Sequence, residues 1–140
     1  MSTPLYNERL VAHSRHLAGA AEVSEVAADA TADNPVCGDE IRVRIVWRGD
    51  GVVERMEHLT RGCAVCKASA SLASLAVAGK TREEVRVLGD AFEECLKTGD
   101  FSPLGGDFHL LDGINAYPSR IHCARLPWTA LRRALDSSGK

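Results

Sequence analysis

The chain has 140 residues, 45% of them hydrophobic, and its 17 Lys and Arg against 19 Asp and Glu give a formal charge of −2. This length is typical of one domain, here residues 1–140, which can bury a core without a disulfide framework. The balanced charge lacks the basic block typical of nucleic-acid-binding surfaces, and no apolar run approaches the ~18 residues that span a bilayer. We therefore expect a soluble, cytoplasmic protein that binds neither nucleic acid nor membrane.

The N-terminal part is predicted to contain one helix and one linker. Apolar residues three to four positions apart predict an amphipathic helix from Leu5 to Leu17. His13 and His16 fall in this helix and are interpreted as surface or interface residues, because two histidines without a partner carboxylate are a weak metal signal. Residues 18–33 are rich in Ala, Asp, Glu and Ser, which predicts a flexible linker or a frayed helix.

The first of five cysteines lies in a predicted turn. Pro35 and Gly38 bracket Cys37, and the carboxylate of Asp39 follows two residues later. A thiolate and a carboxylate this close repel each other unless a cation lies between them, so the pair is a candidate half of a metal site. An ordinary turn with a capping Asp explains the same residues, and this segment alone leaves both interpretations open.

A β-hairpin is predicted next. Apolar residues alternate with arginines over residues 41–47, which is the period of a half-buried strand, and an Asp-Gly pair at residues 50–51 predicts a tight turn before a partner strand over residues 52–60. His58 lies on the apolar face of that partner strand and is predicted to be a hydrogen-bonded core residue. The hairpin carries Cys63 back towards the first cysteine.

Cys63 is predicted to lie at the N-terminus of a helix. Apolar residues recur every three or four positions from Val65, and Gly79 is a stop signal. The unpaired amides and the dipole at a helix N-terminus favour a thiolate on Cys63. The small residues at 68–71 allow other parts of the chain to approach this helix closely.

Two further helices are predicted. Thr81 and Glu84 form a capping box at the start of the first, which Gly89 is predicted to break, and Cys95 has the spacing of a packed core residue.

Residues 99–107 are rich in Gly and are predicted to form a loop. The last helix is predicted to start at Pro118 and to kink or restart at Pro127, which places Cys123 in its first turns beside His122.

Three cysteines therefore lie at loops or helix starts, each beside a second candidate ligand. The pairs are Cys37 with Asp39, Cys63 with Cys66, and Cys123 with His122. Three thiolates with Asp or His as a fourth ligand suit Zn²⁺, and thiolates suit an iron–sulfur cluster equally well. Ligand type alone leaves the metal open.

Four cysteine-site motifs follow one another along the chain: Asn-Pro-Val-Cys-Gly-Asp at 34–39, Gly-Cys-Ala at 62–64, Ala-Ser-Ala-Ser at 68–71 and Arg-Ile-His-Cys at 120–123. With these motifs in this order, the sequence resembles the IscU, NifU and SufU family of iron–sulfur cluster assembly proteins. The resemblance implies an α+β fold in which a small antiparallel β-sheet has helices packed on one face. It also implies a site built from Cys37, Asp39, Cys63 and Cys123, with His122 as the alternative fourth ligand.

The resemblance implies a function as well. A cysteine desulfurase would donate persulfide sulfur to the site, which would hold zinc or a nascent [2Fe–2S] cluster destined for apo iron–sulfur proteins. The chain would act with the desulfurase rather than as a stand-alone enzyme, as a monomer or weak dimer. Cys37 is our candidate sulfur acceptor because its turn can move, and Cys66 is the candidate relay thiol.

The branch of the family is indicated by the last motif. Tyr-Pro-Ser-Arg-Ile at 117–121 and the long segment before it resemble the zinc-dependent SufU branch, which we favour, whereas His122 resembles the cluster-building IscU branch. The Leu-Pro-Pro-Val-Lys segment by which IscU engages its Hsp70-type chaperone does not occur in this sequence. Cys66 departs from both branches, where a small residue is usual.

Two other functions are compatible with parts of the sequence. Cys63 and Cys66 form a Cys-x-x-Cys motif, which dithiol oxidoreductases present at a strand-to-helix junction within a βαβ unit. A structural zinc site in a binding module is the other alternative, and it would bind metal without accepting sulfur.

Overall fold

The structure, a computed structural model, describes residues 8–15 and 17–138. The described residues form α1 (Glu8–Arg15), β1 (Ala30–Asn34), β2 (Asp39–Trp47), β3 (Val53–Arg61), α2 (Ala64–Val77), α3 (Arg82–Thr98) and α4 (Pro118–Ser137). Three short 3₁₀ turns at Ser102–Leu104, Gly106–Leu111 and Ile114–Ala116 connect α3 to α4. The strands pair antiparallel in the order β1-β2-β3. This arrangement confirms the predicted α+β class.

The hairpin of β2 and β3 follows the predicted alternation. Ile41, Val43 and Ile45 of β2 are buried, and the arginines between them lie on the other face of the sheet. Val43 pairs with His58 of β3, and the His58 side chain is fully buried. Nε2 of His58 lies 2.8 Å from the Ala18 carbonyl oxygen, and Nδ1 lies 2.7 Å from Thr60 Oγ1. The prediction of a hydrogen-bonded core histidine is therefore confirmed.

The helices cover the apolar face of the sheet, with α4 on β1 and β2 and with α2 on β3. The small residues of α2 allow close contact, as predicted. Ser69 Oγ donates to the Ala124 carbonyl oxygen at 2.6 Å and accepts from Trp128 Nε1 at 3.2 Å. These bonds fix the position of α4, and therefore of the cysteine in its second turn, relative to α2.

The predicted linker over residues 18–33 is wrong for its last four residues, which belong to β1. Earlier in the segment, Ala20 bridges to His58 at the free edge of β3, and Val23 is only 2% exposed. Composition misled the prediction because main-chain pairing to a sheet edge does not require large side chains. The flexibility of residues 18–29 stays a prediction.

Two predicted helix interruptions do not occur. α3 runs through Gly89, because a glycine costs only about 0.5–1 kcal/mol relative to alanine and the helix buries Val85 and Phe92 on either side. α4 likewise does not restart at Pro127, which is buried in the packed face of the helix, and the alternative of a kink there stays a prediction. The capping box of Thr81 and Glu84, by contrast, is present as predicted.

The predicted N-terminal helix is observed as α1, whereas Leu5 and His16 lie outside the described residues. His13 lies at an interface: its Nδ1 is 3.0 Å from Ser71 Oγ and its Nε2 is 3.0 Å from Asp107 Oδ2. These contacts attach α1 to α2 and to the second 3₁₀ turn. No helix in the part of the chain that the structure describes has the length and apolarity to cross a membrane.

Candidate metal centre

Three of the predicted site residues converge at one end of the sheet. The ligand atoms of Cys37, Asp39 and Cys123 all lie within 4.8 Å of one another. Cys37 is on the turn between β1 and β2, Asp39 is the first residue of β2, and Cys123 is in the second turn of α4. The fold therefore brings together residues that are up to 86 positions apart, 123 minus 37.

The turn that carries Cys37 is closed by its own backbone. The amides of Cys37 and Gly38 donate to the Asn34 carbonyl oxygen at 3.2 and 2.9 Å, and Gly38 adopts φ +73°. Cys37 is half-buried at the rim of the site, and the neighbouring Val36 side chain is 92% exposed. Cys37 is therefore presented on an accessible turn, as predicted.

Asp39 is nearly inaccessible, at 1% exposure, and its two carboxylate oxygens have different surroundings. Oδ1 accepts the Cys63 amide at 2.9 Å. Oδ2 is the one buried side-chain oxygen or nitrogen without a hydrogen-bond partner in the described ranges. A buried carboxylate oxygen is costly unless a donor or cation satisfies it. Beside the thiols of Cys37 and Cys123, this oxygen fits a bound metal cation.

Gly62 is required by the close approach of Asp39. It adopts φ +149°, and a Cβ atom at this position would lie 2.1 Å from Asp39 Oδ1. The sequence indicates a sharp turn here, but the contact that demands glycine comes from a residue 23 positions earlier, 62 minus 39.

Cys63 is the N-cap of α2, as predicted, and is half-buried. Its Sγ accepts the Cys66 amide at 3.5 Å, and its own amide donates to Asp39. It does not belong to the group of three whose ligand atoms lie within 4.8 Å of one another. Cys63 therefore lines the site beside that group.

Cys123 is fully buried, and its Sγ donates to the Ser119 carbonyl oxygen at 3.4 Å. Burial raises the pKa of the Cys123 thiol, and the adjacent Asp39 carboxyl and Cys63 thiol raise it further. A bound cation reverses this effect, because it favours the thiolate as a ligand and releases the proton. No sequence signal indicates the Ser119 contact, since a carbonyl oxygen is available at every residue.

The remaining candidates lie outside the group of three. His122 is exposed and lines a surface groove with Cys37, and Cys95 is buried with α3 in the core. Cys66 is also buried, which raises the pKa of its thiol, as do Asp39 and Cys63, while Lys67 opposes them. Lys67 is a charged residue beside Cys66 that the sequence prediction missed. The pattern that could have indicated it is a cation in the first turn of a helix, where the helix dipole disfavours positive charge.

The surroundings of the Cys-x-x-Cys motif do not match the oxidoreductase alternative. That function predicts a βαβ unit with parallel strands, whereas α2 follows an antiparallel hairpin. The helix start and the thiol positions are shared by both folds, and the strand topology distinguishes them.

The chain is similar to proteins of one known family. The family model for the NifU-like N terminal domain matches residues 6–137. The chain is 36% identical over 109 residues to the iron–sulfur cluster assembly scaffold protein IscU of Streptococcus pyogenes serotype M1, a match that covers 76% of this chain and 67% of the relative. It is also 36% identical over 105 residues to the zinc-dependent sulfurtransferase SufU of Bacillus subtilis (strain 168), covering 74% of this chain and 71% of the relative.

A solved structure shows the same fold. The crystal structure of the N-terminal part of a nitrogen-fixing NifU-like protein from Brucella abortus superposes with a TM-score of 0.79 at 26% identity and covers 96% of each chain. Sequence and fold therefore agree, and the chain belongs to the NifU-like N-terminal domain family.

Proposed function

We propose that this chain is an iron–sulfur cluster assembly protein, which accepts persulfide sulfur from a cysteine desulfurase and supports a nascent [2Fe–2S] cluster. The observation that carries the proposal is the convergence of Cys37, Asp39 and Cys123 around a buried carboxylate oxygen that has no partner. The similarity to an IscU scaffold and to a zinc-dependent SufU sulfurtransferase supports it.

The metal ligands in this proposal are Cys37, Asp39, Cys63 and Cys123. Thiolates with one carboxylate suit both zinc and iron, and zinc bound there would supply the positive charge that keeps the thiols deprotonated. The iron and sulfide of a cluster are cargo, which apo iron–sulfur proteins receive. His122 is exposed at the groove and is not part of this ligand set.

Cys37 is the sulfur acceptor in this proposal. The thiols of Cys66 and Cys123 are buried, whereas Cys37 lies half-buried on a turn that borders an open groove. The Cys37 thiolate attacks the terminal sulfur of the persulfide on the desulfurase, a new S–S bond forms on Cys37, and the desulfurase cysteine leaves as a thiolate. Burial therefore excludes Cys66 and Cys123, and the groove favours Cys37 over the equally half-buried Cys63, which is not among the residues that line the groove.

The test is to incubate the protein with a cysteine desulfurase and cysteine under anaerobic conditions, and then to map persulfide by mass spectrometry. We expect persulfide on Cys37, and its loss in Cys37→Ser. Cys95→Ser is the matched control, because it removes a thiol distant from the site and should accept sulfur like the wild type.

Sulfur transfer that survives Cys37→Ser but disappears in Cys66→Ser would reassign the acceptor to the Cys-x-x-Cys motif. Metal binding without transfer to any cysteine would instead favour a structural zinc module, and the proposed function would be wrong.

A further inference from the structure

We propose that Cys66 reductively releases sulfide from a persulfide carried by Cys63, so that the Cys63–Cys66 pair converts accepted sulfur into the sulfide that a cluster requires. This inference rests on the proposed function, since it starts from sulfur accepted at the same site. It assigns a chemical role to a buried thiol that lies outside the group of metal ligands.

The geometry of the helix start brings the two residues together. Cys63 is the N-cap of α2 and Cys66 is its third helical residue, with the Cys66 amide 3.5 Å from Cys63 Sγ. At a helix start the side chain of each of these two positions reaches the backbone of the other, as the reciprocal side-chain-to-backbone bonds of Thr81 and Glu84 show in α3. Cysteines at this spacing form the redox-active pair of Cys-x-x-Cys proteins.

The two thiols differ in their exposure to solvent. Cys63 is half-buried, and its amide donates to Asp39, so it lies beside the group that contains Cys37. Cys66 is fully buried, so external thiols and partner proteins do not reach its sulfur. Its reaction partner must therefore come from within the chain, and Cys63 is the thiol to which its own backbone is bonded.

The sulfur reaches Cys63 by exchange within the site. The Cys63 thiolate attacks the outer sulfur of a Cys37 persulfide, the persulfide forms on Cys63, and Cys37 leaves as a thiolate. This step moves the sulfane sulfur without changing its oxidation state.

Release is the redox step. The Cys66 sulfur attacks the inner sulfur of the Cys63 persulfide, so the Cys63–Cys66 disulfide forms and the bond to the terminal sulfur breaks. The terminal sulfur takes the proton of the Cys66 thiol and leaves as hydrosulfide. The electron pair that reduces it comes from the two cysteines, which are oxidised to the disulfide. A dithiol reductant then regenerates the pair for another round.

The experiment uses persulfidated desulfurase that has been desalted to remove cysteine, because free cysteine would itself reduce persulfides. It is mixed anaerobically with wild-type protein, and released sulfide is measured over time while non-reducing mass spectrometry maps disulfides. We expect sulfide release matched by a Cys63–Cys66 disulfide. In Cys66→Ser, persulfide should remain on Cys63 and sulfide release should fall to the rate of the desulfurase alone. Cys95→Ser should behave as the wild type.

Three outcomes would contradict this inference, and one of them would also contradict the proposed function. Persulfide that forms on the wild type and lasts as long as in Cys66→Ser would overturn this inference while the proposed function stands. Sulfide release with a disulfide between any other pair would overturn it too, and this wild-type measurement does not depend on the folding of a variant. Failure of both proteins to accept sulfur would overturn the proposed function, and this inference with it.

Discussion

Gly62→Ala tests the contact between the turn before α2 and the buried carboxylate. The new Cβ would lie 2.1 Å from Asp39 Oδ1 and 2.8 Å from Asp39 Cγ, so the carboxylate must move and its bond to the Cys63 amide is lost. Strain at a positive φ costs about 1–3 kcal/mol. A hydrogen bond to a charged group contributes about 1.5–3 kcal/mol. We expect the free energy of unfolding to fall by about 2.5–6 kcal/mol, the sum of these two contributions.

Denaturant unfolding and elemental analysis measure the two consequences, lower stability and lower metal occupancy. Gly51→Ala is the matched control: Gly51 has φ +81° at the far end of the hairpin, and no atom lies within 4 Å of an added Cβ. It should lose only the strain of about 1–2 kcal/mol and keep its metal. If Gly62→Ala lost no more stability than Gly51→Ala and bound metal normally, the argument that Asp39 demands this glycine would be refuted.

Two further predictions concern metal and pH. Cys123→Ser should strongly reduce the zinc or iron bound per chain in elemental analysis, because it removes a buried ligand. Cys95→Ser should leave the metal content unchanged. Full metal occupancy in Cys123→Ser would exclude Cys123 from the site. Burial lowers the pKa of His58 below its ordinary 6.5. The unfolded state therefore binds a proton more readily, so stability should be intact above pH 6.5 and fall as the pH drops through that value. Unfolding measured between about pH 5 and pH 8 should show a flatter profile in His58→Gln, and an unchanged profile would contradict this cause.

The proposed sulfide release depends on Cys66, which forms a Cys-x-x-Cys motif with Cys63. Cys66 lies in the first turn of α2, and the N-cap of that helix, Cys63, lines the site. A chain with this residue would carry its own reductant for the first sulfur that it accepts. A chain without it would depend on an external electron donor for the same step.

The elements that the sequence predicted correctly are those with local causes. The β2–β3 hairpin follows from side-chain alternation around an Asp-Gly turn, and the start of α3 follows from the Thr81–Glu84 capping box. The prediction that Cys63 lies at a helix start has the same basis, since N-caps and helical periodicity involve residues only a few positions apart. Cysteine motifs in order were sufficient to identify the family.

The tertiary structure decided what depends on residues distant in the chain. β1 forms because an edge of β2 offers backbone partners, and composition carries no record of that edge. Asp39 rather than His122 joins Cys37 and Cys123 because β2 starts beneath α4, whereas His122 lies on the exposed side of the helix. Burial and the distance between side chains are set by packing of the whole chain, and no local pattern determines them.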